Sequence, residues 1–309
     1  MEILKRIDLL DMPEKSEVSG YVLVQSYQTM PQKNGGQYIS GHLQALGDIP
    51  FKVWSDTSAT SLYAQMISSQ DFAGKVMRVT GKVDRFGGSL SLVLSSGTIV
   101  DEDVGVTPTD LMENVYDAEK YYQTLTATLN KYCSPKAMMV FELVMKKYKN
   151  SFIKEFGAIH HHDNCKSGLL AHTTKVTKLA TMIKIYPSLF DRVSTDLLFL
   201  GCALHDLGKI SEYNNGAISE EGKSISHMIS GPLMLSEFKE EIEKLMGSDF
   251  YIGLISILGT HAGEFGEPPR TVVAYVIHLM DCLEANLTSL NQLCADNQGQ
   301  FKYLNYTFI

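Results

Sequence analysis

Residues 195–209 read TDLLFLGCALHDLGK. The run Thr195–Leu207 is apolar nearly all round, which predicts a helix buried inside its own domain rather than one with a wet face. His205 and Asp206 stand near its end. Burying a carboxylate beside an imidazole is costly unless each is paired or bound to a metal. Neighbouring helical positions point about 100° apart, so the two serve different directions around one site. Lys209 follows four residues after His205, on the same helical face and within reach of a phosphate. A capping histidine or a structural Asp–Lys ion pair would account for this stretch taken alone.

Outward from it, the surrounding sequence has the same texture. From Thr107-Pro108-Thr109-Asp110, read as a helix start, to Phe308 the period is helical, with no convincing strand. Gly168–Ile183 places His172 on a core-facing stripe with Leu169, Val176, Leu179 and Ile183. Thr271–Leu287 is another apolar helix, on which His278 and Asp281 share a face. His227 and His261 lie between these segments. Of nine histidines, only His42 precedes residue 160. Imidazole and carboxylate groups without cysteine, on buried faces of successive helices, suit Mn, Fe, Zn, Co or Mg rather than a thiolate zinc site.

Residues 17–100 read differently. Val18–Gln25, Tyr38–Leu46, Phe51–Trp54, Lys75–Val83 and Ser89–Leu94 alternate or are β-rich, and Ser61–Ser69 reads as a short helix between the third and fourth. Lys33-Asn34-Gly35-Gly36 and Arg85-Phe86-Gly87-Gly88 are turn signals, and Leu90, Leu92 and Leu94 mark a buried face. Five strands with that helix predict a small Greek-key barrel of the OB type; an SH3-like barrel or a sandwich would leave a similar trace. The expected fold class is therefore multidomain, a five-stranded OB-type barrel followed by an all-α domain. Its divisions are 1–104, a helical linker at 105–150 packing on the second domain, and 151–309.

The chain has 309 residues, 44% hydrophobic, with 27 Lys+Arg against 35 Asp+Glu and a net charge of −8. This excludes a disordered or collagen-like chain and argues against bulk coating of nucleic acid, which calls for a basic surplus. A small local groove stays compatible with it. No apolar stretch approaches the ~18 residues of a membrane span, and the N-terminus has no secretion-signal core. Five scattered cysteines without a CxxC pair suit reduced thiols. A cytoplasmic location without membrane association is expected.

The order His172 … His205-Asp206 … Asp281 resembles the H…HD…D signature of the HD-domain phosphohydrolases. Gly168–Thr173 (GLLAHT), Leu204–Lys209 (LHDLGK), His261–Gly266 (HAGEFG) and Ile277–Ala285 (IHLMDCLEA) are similar to segments of the YhaM-type 3′→5′ exoribonucleases, a family that joins an OB-type domain to an HD domain. The resemblance implies that His172, His205, Asp206 and Asp281 hold a first divalent metal. His227 and His261 would hold a second, with Asp206 bridging, so that one or two ions are bound, manganese ranking first and Co, Fe, Zn or Mg as alternatives. Lys209 would hold a substrate phosphate, and His161 or His162 would face the scissile bond beside Asp206; the run His160–His162 could equally be a solvated loop. Glu284 stands where Asp is expected and Ala171 where Glu is common.

The implied activity is metal-dependent 3′→5′ hydrolysis of single-stranded RNA, and of single-stranded DNA, from a free 3′ end. A homo-oligomer is left open. Tyr38, Trp54 and Phe86, with Phe51 and Tyr27, are candidates for base stacking; Lys33 and Arg85, with Lys52, Arg78 and Lys82, are candidates for phosphate contacts. About half the aromatics of so small a barrel must be core, and scattered lysines are usually solvated. A phosphohydrolase of small nucleotides (a dNTP or a cyclic nucleotide) and a non-catalytic nucleic-acid-binding protein are the competing functions.

Overall fold

The computed structural model describes residues 2–33, 35–55, 59–68, 72–86, 89–100, 105–112, 115–158, 163–190, 194–214, 216–262, 266–296, 301–303 and 306–308. The chain divides into two compact units. One comprises residues 1–115 with Asn164–Lys166 and Tyr213–Ser219, and the other the remainder.

The first unit opens with a short helix α1 (Arg6–Leu10) and is built on a closed barrel of strands β1 (Glu17–Pro31), β2 (Gln37–Gln44), β3 (Asp48–Trp54), β4 (Val76–Phe86) and β5 (Ser89–Ile99), in the order β1-β2-β3-β5-β4. Long β1 pairs with β4 through its first half and with β2 through its second. A register shift between Val24 and Ser26 bends it across the two partners. The parallel contact Phe51↔Leu92 closes the ring, and closure removes the exposed edges an open sheet would leave. This is the OB-type barrel expected. Its interior is filled by Val22, Val24, Ile39, Leu43, Ile49, Phe51, Val53, Met77 and Leu92, all at most 1% exposed. Helix α2 (Thr60–Ser68), between β3 and β4, adds Leu62 and Met66 to that core.

The second unit is helical, with its own core. Helix α3 (Ala118–Tyr132) starts at Asp117, whose side chain accepts from Lys120 N. Residues 108–111, still in the first unit, where the Pro-Thr-Asp signal suggested the start of a long helix, form only a short 3-10 turn. Three-residue spacing there favours one hydrogen-bonded turn, because Asp110 Oδ2 is taken up by the Thr107 N–H and hydroxyl. Helix α4 (Pro135–Lys154) has Pro at its first turn and Ser134 as its cap. The Ser134 N–H and hydroxyl also donate to Asp196, each at 2.6 Å.

Then come α5 (Gly168–Leu179), a 3-10 segment (Ala180–Ile185), α6 (Pro187–Phe190), α7 (Thr195–Leu204) and α8 (Lys209–Glu212). After the short strands β6 (Tyr213–Asn214) and β7 (Ala217–Ile218), which belong to the first unit, follow α9 (His227–Ser236), α10 (Lys239–Met246), α11 (Ser248–Thr260) and α12 (Val272–Asp296). Strands β8 (Phe301–Tyr303) and β9 (Tyr306–Phe308) end the chain. These two hairpins correct the expectation of no strand after residue 105. Each is too short to give a period of two. As predicted, α7 is enclosed on all sides: Leu198 through Leu204 are buried, and α5, α11 and α12 all pack on it.

Candidate metal centre

Helix α7 stops at Leu204, and His205 and Asp206 occupy the turn that follows. The chain then restarts at Lys209 in α8, so Lys209 meets Asp206 across that turn rather than continuing the face of His205. Gly208 makes the turn possible. A Cβ there would lie 2.2 Å from the His227 carbonyl oxygen and 2.5 Å from Gly231 N, so only glycine lets α9 come this close. On the other side, a Cβ at Gly168 would lie 1.9 Å from the Asp163 carbonyl oxygen. Glycine therefore fixes the start of α5, one turn before His172.

Four imidazoles are held by their Nδ1 atoms. His172 Nδ1 is 2.5 Å from Glu284 Oε2 and His227 Nδ1 is 2.5 Å from Glu212 Oε2. His205 Nδ1 is 2.9 Å from the Cys202 carbonyl oxygen, and His261 Nδ1 is 3.2 Å from that of Ile257. Each ring is thereby fixed with its Nε2 turned toward one carboxylate, the arrangement of metal-ligating histidines.

That carboxylate is Asp206, and its two oxygens face different partners. Oδ2 lies 3.5 Å from His172 Nε2 and 3.3 Å from His205 Nε2. Oδ1 lies 3.6 Å from His227 Nε2 and 3.4 Å from His261 Nε2. Asp281 Oδ1 joins the first set, 3.0 Å from His172 Nε2 and 3.9 Å from His205 Nε2. Two donors ~2.1 Å from a common ion, set at right angles or tetrahedrally, stand ~3.0–3.4 Å apart. The spacings therefore suit shared cations. Buried His205 Nε2 accepts or donates no hydrogen bond among the described residues, which leaves its lone pair for an ion. Among those residues, His172, His205 and Asp206 form one group able to hold a metal, and Asp206, His227 and His261 a second. The donor set fits a divalent cation and contains no thiolate.

The charges agree. Burial would raise the Asp206 carboxyl, but the Lys209 ammonium and then His205 and His261 hold it well below the usual range. Asp281 is likewise held below that range: burial opposes the effect, and the hydrogen bond and charge of His172 outweigh it. His261 is pulled below its ordinary value, chiefly by burial, so it stays neutral and able to ligate. His172 goes the other way, up to about 10, because hydrogen bonds to Asp281 and Glu284 and their charges overcome its burial.

A family model described as HD domain matches residues 169–286. A protein named 3'-5' exoribonuclease YhaM from Geobacillus sp. (strain WCH70) is 26% identical over 287 residues, 89% of this chain and 84% of that protein. One of the same name from Bacillus subtilis (strain 168) is 28% identical over 289 residues, 89% and 87% of the two chains. Over most of its length the chain is similar to the YhaM-type exoribonucleases, and it carries an HD domain. Among solved structures, a mitochondrial single-stranded DNA binding protein from S. cerevisiae, Rim1, aligns with 28% of this chain and 98% of its own at 14% identity and a TM-score of 0.24.

The six residues read as metal ligands, His172, His205, Asp206, His227, His261 and Asp281, come together in one cluster. Lys209 lies against the same cluster. Its ammonium sits 2.7 Å from Asp206 Oδ2 and donates to the Gly157 carbonyl oxygen at 2.6 Å, with 9% of the residue exposed. The Asp–Lys ion pair that could explain the stretch alone is therefore present as well as the cluster. His161 and His162, with His160, lie outside the described residues, as does the side chain of Phe86.

In the barrel, Tyr38 and Trp54 face each other across β2 and β3 and stack with centroids 4.7 Å apart. Lys33 is exposed. Arg85 turns inward, its guanidinium donating to the carbonyl oxygens of Leu10 and Met12 at 2.6 and 3.1 Å. Half-buried, it ties down the segment after α1. Phe51 is core, at 1% exposure.

The sequence reading gave no role to several residues around the cluster. Glu284 and Glu212 hold His172 and His227. Lys175 Nζ lies 3.0 Å from Glu284 Oε1 and 2.9 Å from Asp163 Oδ1, and Tyr116 donates to Asp163. The local signal was there in part, since Lys175 is one turn after His172 and Glu284 one turn after Asp281. Nothing local says that the two turns meet.

Proposed function

We propose that this chain is a metal-dependent 3′→5′ exoribonuclease of single-stranded RNA, able also to degrade single-stranded DNA. One observation carries the reading: the two oxygens of Asp206 face two separate imidazole sets, with 3.3–3.5 Å on one side and 3.4–3.6 Å on the other. His172, His205, Asp206 and Asp281 would hold one divalent cation; Asp206, His227 and His261 would hold a second. Manganese is the ion we propose first.

Such ions supply a water deprotonated near neutral pH and neutralise charge on the phosphodiester. The protein's own residues do the rest. Lys209 keeps Asp206 ionised and fixed, so its part in this reading is to hold the bridging carboxylate rather than to reach the substrate. Glu284 and Glu212 orient His172 and His227. Tyr38 and Trp54 offer a stacked aromatic pair to unpaired bases, with Lys33 near the same end of β2, and His161 or His162 would approach the scissile phosphate. The relatives named 3'-5' exoribonuclease support the same assignment. Five scattered cysteines without a CxxC pair suit work in a reducing cytoplasm.

The experiment is hydrolysis of end-labelled RNA with a free or a blocked 3′ end, with Mn²⁺ present. A ladder from the free end only, lost in Asp206→Ala with RNA binding retained, is expected. Equal cleavage of both RNAs, undiminished turnover by Asp206→Ala, or hydrolysis confined to mononucleotides would overturn the proposal.

A further inference from the structure

Helix α12 carries Asp281 and Glu284 on its inner face. Its outer face is of another kind. Val272, Tyr275, Leu279, Leu283 and Leu287 are 51%, 53%, 50%, 45% and 50% exposed, and every exposed residue of the helix from Val272 to Leu290 is one of these five. Spacings of three and then four keep them in one stripe, about 22 Å long over fifteen residue steps. In this stretch the only carboxylates are Asp281, turned toward His172, and Glu284, buried at 3% exposure. A helix surface this long, on which no fully exposed residue is polar and half-buried Asn286 donates back to the Cys282 carbonyl, is unusual for a side that faces only water.

We infer that the outer face of α12 is the contact through which two copies of this chain associate. The stripe is self-complementary. In an antiparallel pair about a twofold axis beside residue 281, Tyr275 meets Leu287 of the second copy and Leu279 meets Leu283, each contact occurring twice. Isologous contacts of this kind close a dimer, and rows at i±4 on both helices interdigitate. Area points the same way. Five large side chains about half exposed offer roughly 450–500 Å² of apolar surface, near the apolar share of the ~800 Å² that one side of a standard interface buries. Charge selects the place as well. Copies that each carry −8 repel one another over most of their surfaces, and this stripe brings no like charges together.

The test is the mass of the full-length protein in solution at micromolar concentration, by light scattering or sedimentation. Wild type should contain at least two chains of 34.3 kDa. Leu279→Glu or Leu283→Lys alone should halve the mass, with the helical circular dichroism unchanged. Mixing the two variants should restore association, because position 279 of one copy meets position 283 of the other and a Glu–Lys pair replaces one leucine contact. Leu233→Glu, on the exposed side of α9 (Leu233 57% exposed), should leave the mass as it is. A monomeric wild type, an unchanged mass in Leu279→Glu, an equal loss in Leu233→Glu, or no recovery on mixing would each overturn the inference. So would a monomer whose Leu279→Glu variant loses RNA binding, since the face would then belong to the nucleic acid.

Discussion

His172 Nδ1 and Glu284 Oε2 stand 2.5 Å apart, both groups buried and 112 residues apart in the chain. The carboxylate is itself held: Lys175 lies 3.0 Å from its other oxygen and the Thr288 hydroxyl donates to that oxygen at 2.5 Å. Burial would raise Glu284, but the hydrogen bond and charge of His172, with Lys175 and Thr288, bring it down to about 2. It is therefore an anion at any working pH. It fixes the His172 ring with Nε2 toward Asp206 and increases the ring's basicity.

Glu284→Gln keeps the shape and removes the charge. Carboxylates that orient a metal-bound histidine are typically worth 10–100-fold in metal affinity, so Mn²⁺ affinity should drop by about that factor, read by calorimetric titration of metal-stripped protein. Affinity within twofold of wild type would show that Glu284 is only packing.

Gly208 lets the backbone of α9 approach the turn that carries His205 and Asp206. Gly208→Ala places a methyl group 2.2 Å from the His227 carbonyl, and the backbone must move. Overpacking of this kind costs about 1–3 kcal/mol. The melting temperature should fall, and Mn²⁺ stoichiometry should fall toward one as His227 leaves Asp206. A variant with unchanged melting and full stoichiometry would refute the role given to this glycine.

Trp54 stacks on Tyr38 at an interplanar angle of 27°. Stacking contributes about 1–3 kcal/mol per base, so Trp54→Ala should weaken binding of a fluorescent single-stranded RNA roughly 5- to 150-fold. Hydrolysis of bis-p-nitrophenyl phosphate, which carries no base to stack, should stay the same. If RNA affinity is unaltered, the pair serves the barrel alone.

His42 Nδ1 lies 2.9 Å from both oxygens of Asp48. Burial lowers this histidine, but the hydrogen bond and charge of Asp48 outweigh it, and its pKa is raised above 6.5. A raised value in the folded state means that protonation favours folding. The pair's contribution is complete below the unfolded value of 6.5 and is lost as pH climbs through the raised one. Unfolding monitored by Trp54 fluorescence should show a wild-type advantage over His42→Asn that is largest at acidic pH and shrinks above neutrality. An advantage that grows with pH would reverse the assignment.

Much of this molecule is local, and the sequence alone determined it. Alternation in β1 to β5 gave strands with one buried face, because side chains of period two must sort into an inner and an outer face; an OB-type barrel, an SH3-like barrel and a sandwich all fitted it, and the pairing of β3 with β5 decided for the closed barrel. The apolar run before His205 required a helix enclosed by others. The concentration of imidazoles beyond residue 160, with Asp206 and Asp281, marked where a metal could sit, since such groups are not buried without a partner. Tertiary structure alone decided the pairings between distant segments. His172 with Glu284, His227 with Glu212 and the division of Asp206 between two histidine sets depend on which helix faces lie opposite, and periodicity carries no record of that. Lys209 shows the limit most clearly. Its place one turn from Asp206 allowed either a substrate phosphate or an ion pair, and only the turn at Gly208, together with the Gly157 carbonyl from a segment about fifty residues away, directs the ammonium to the carboxylate.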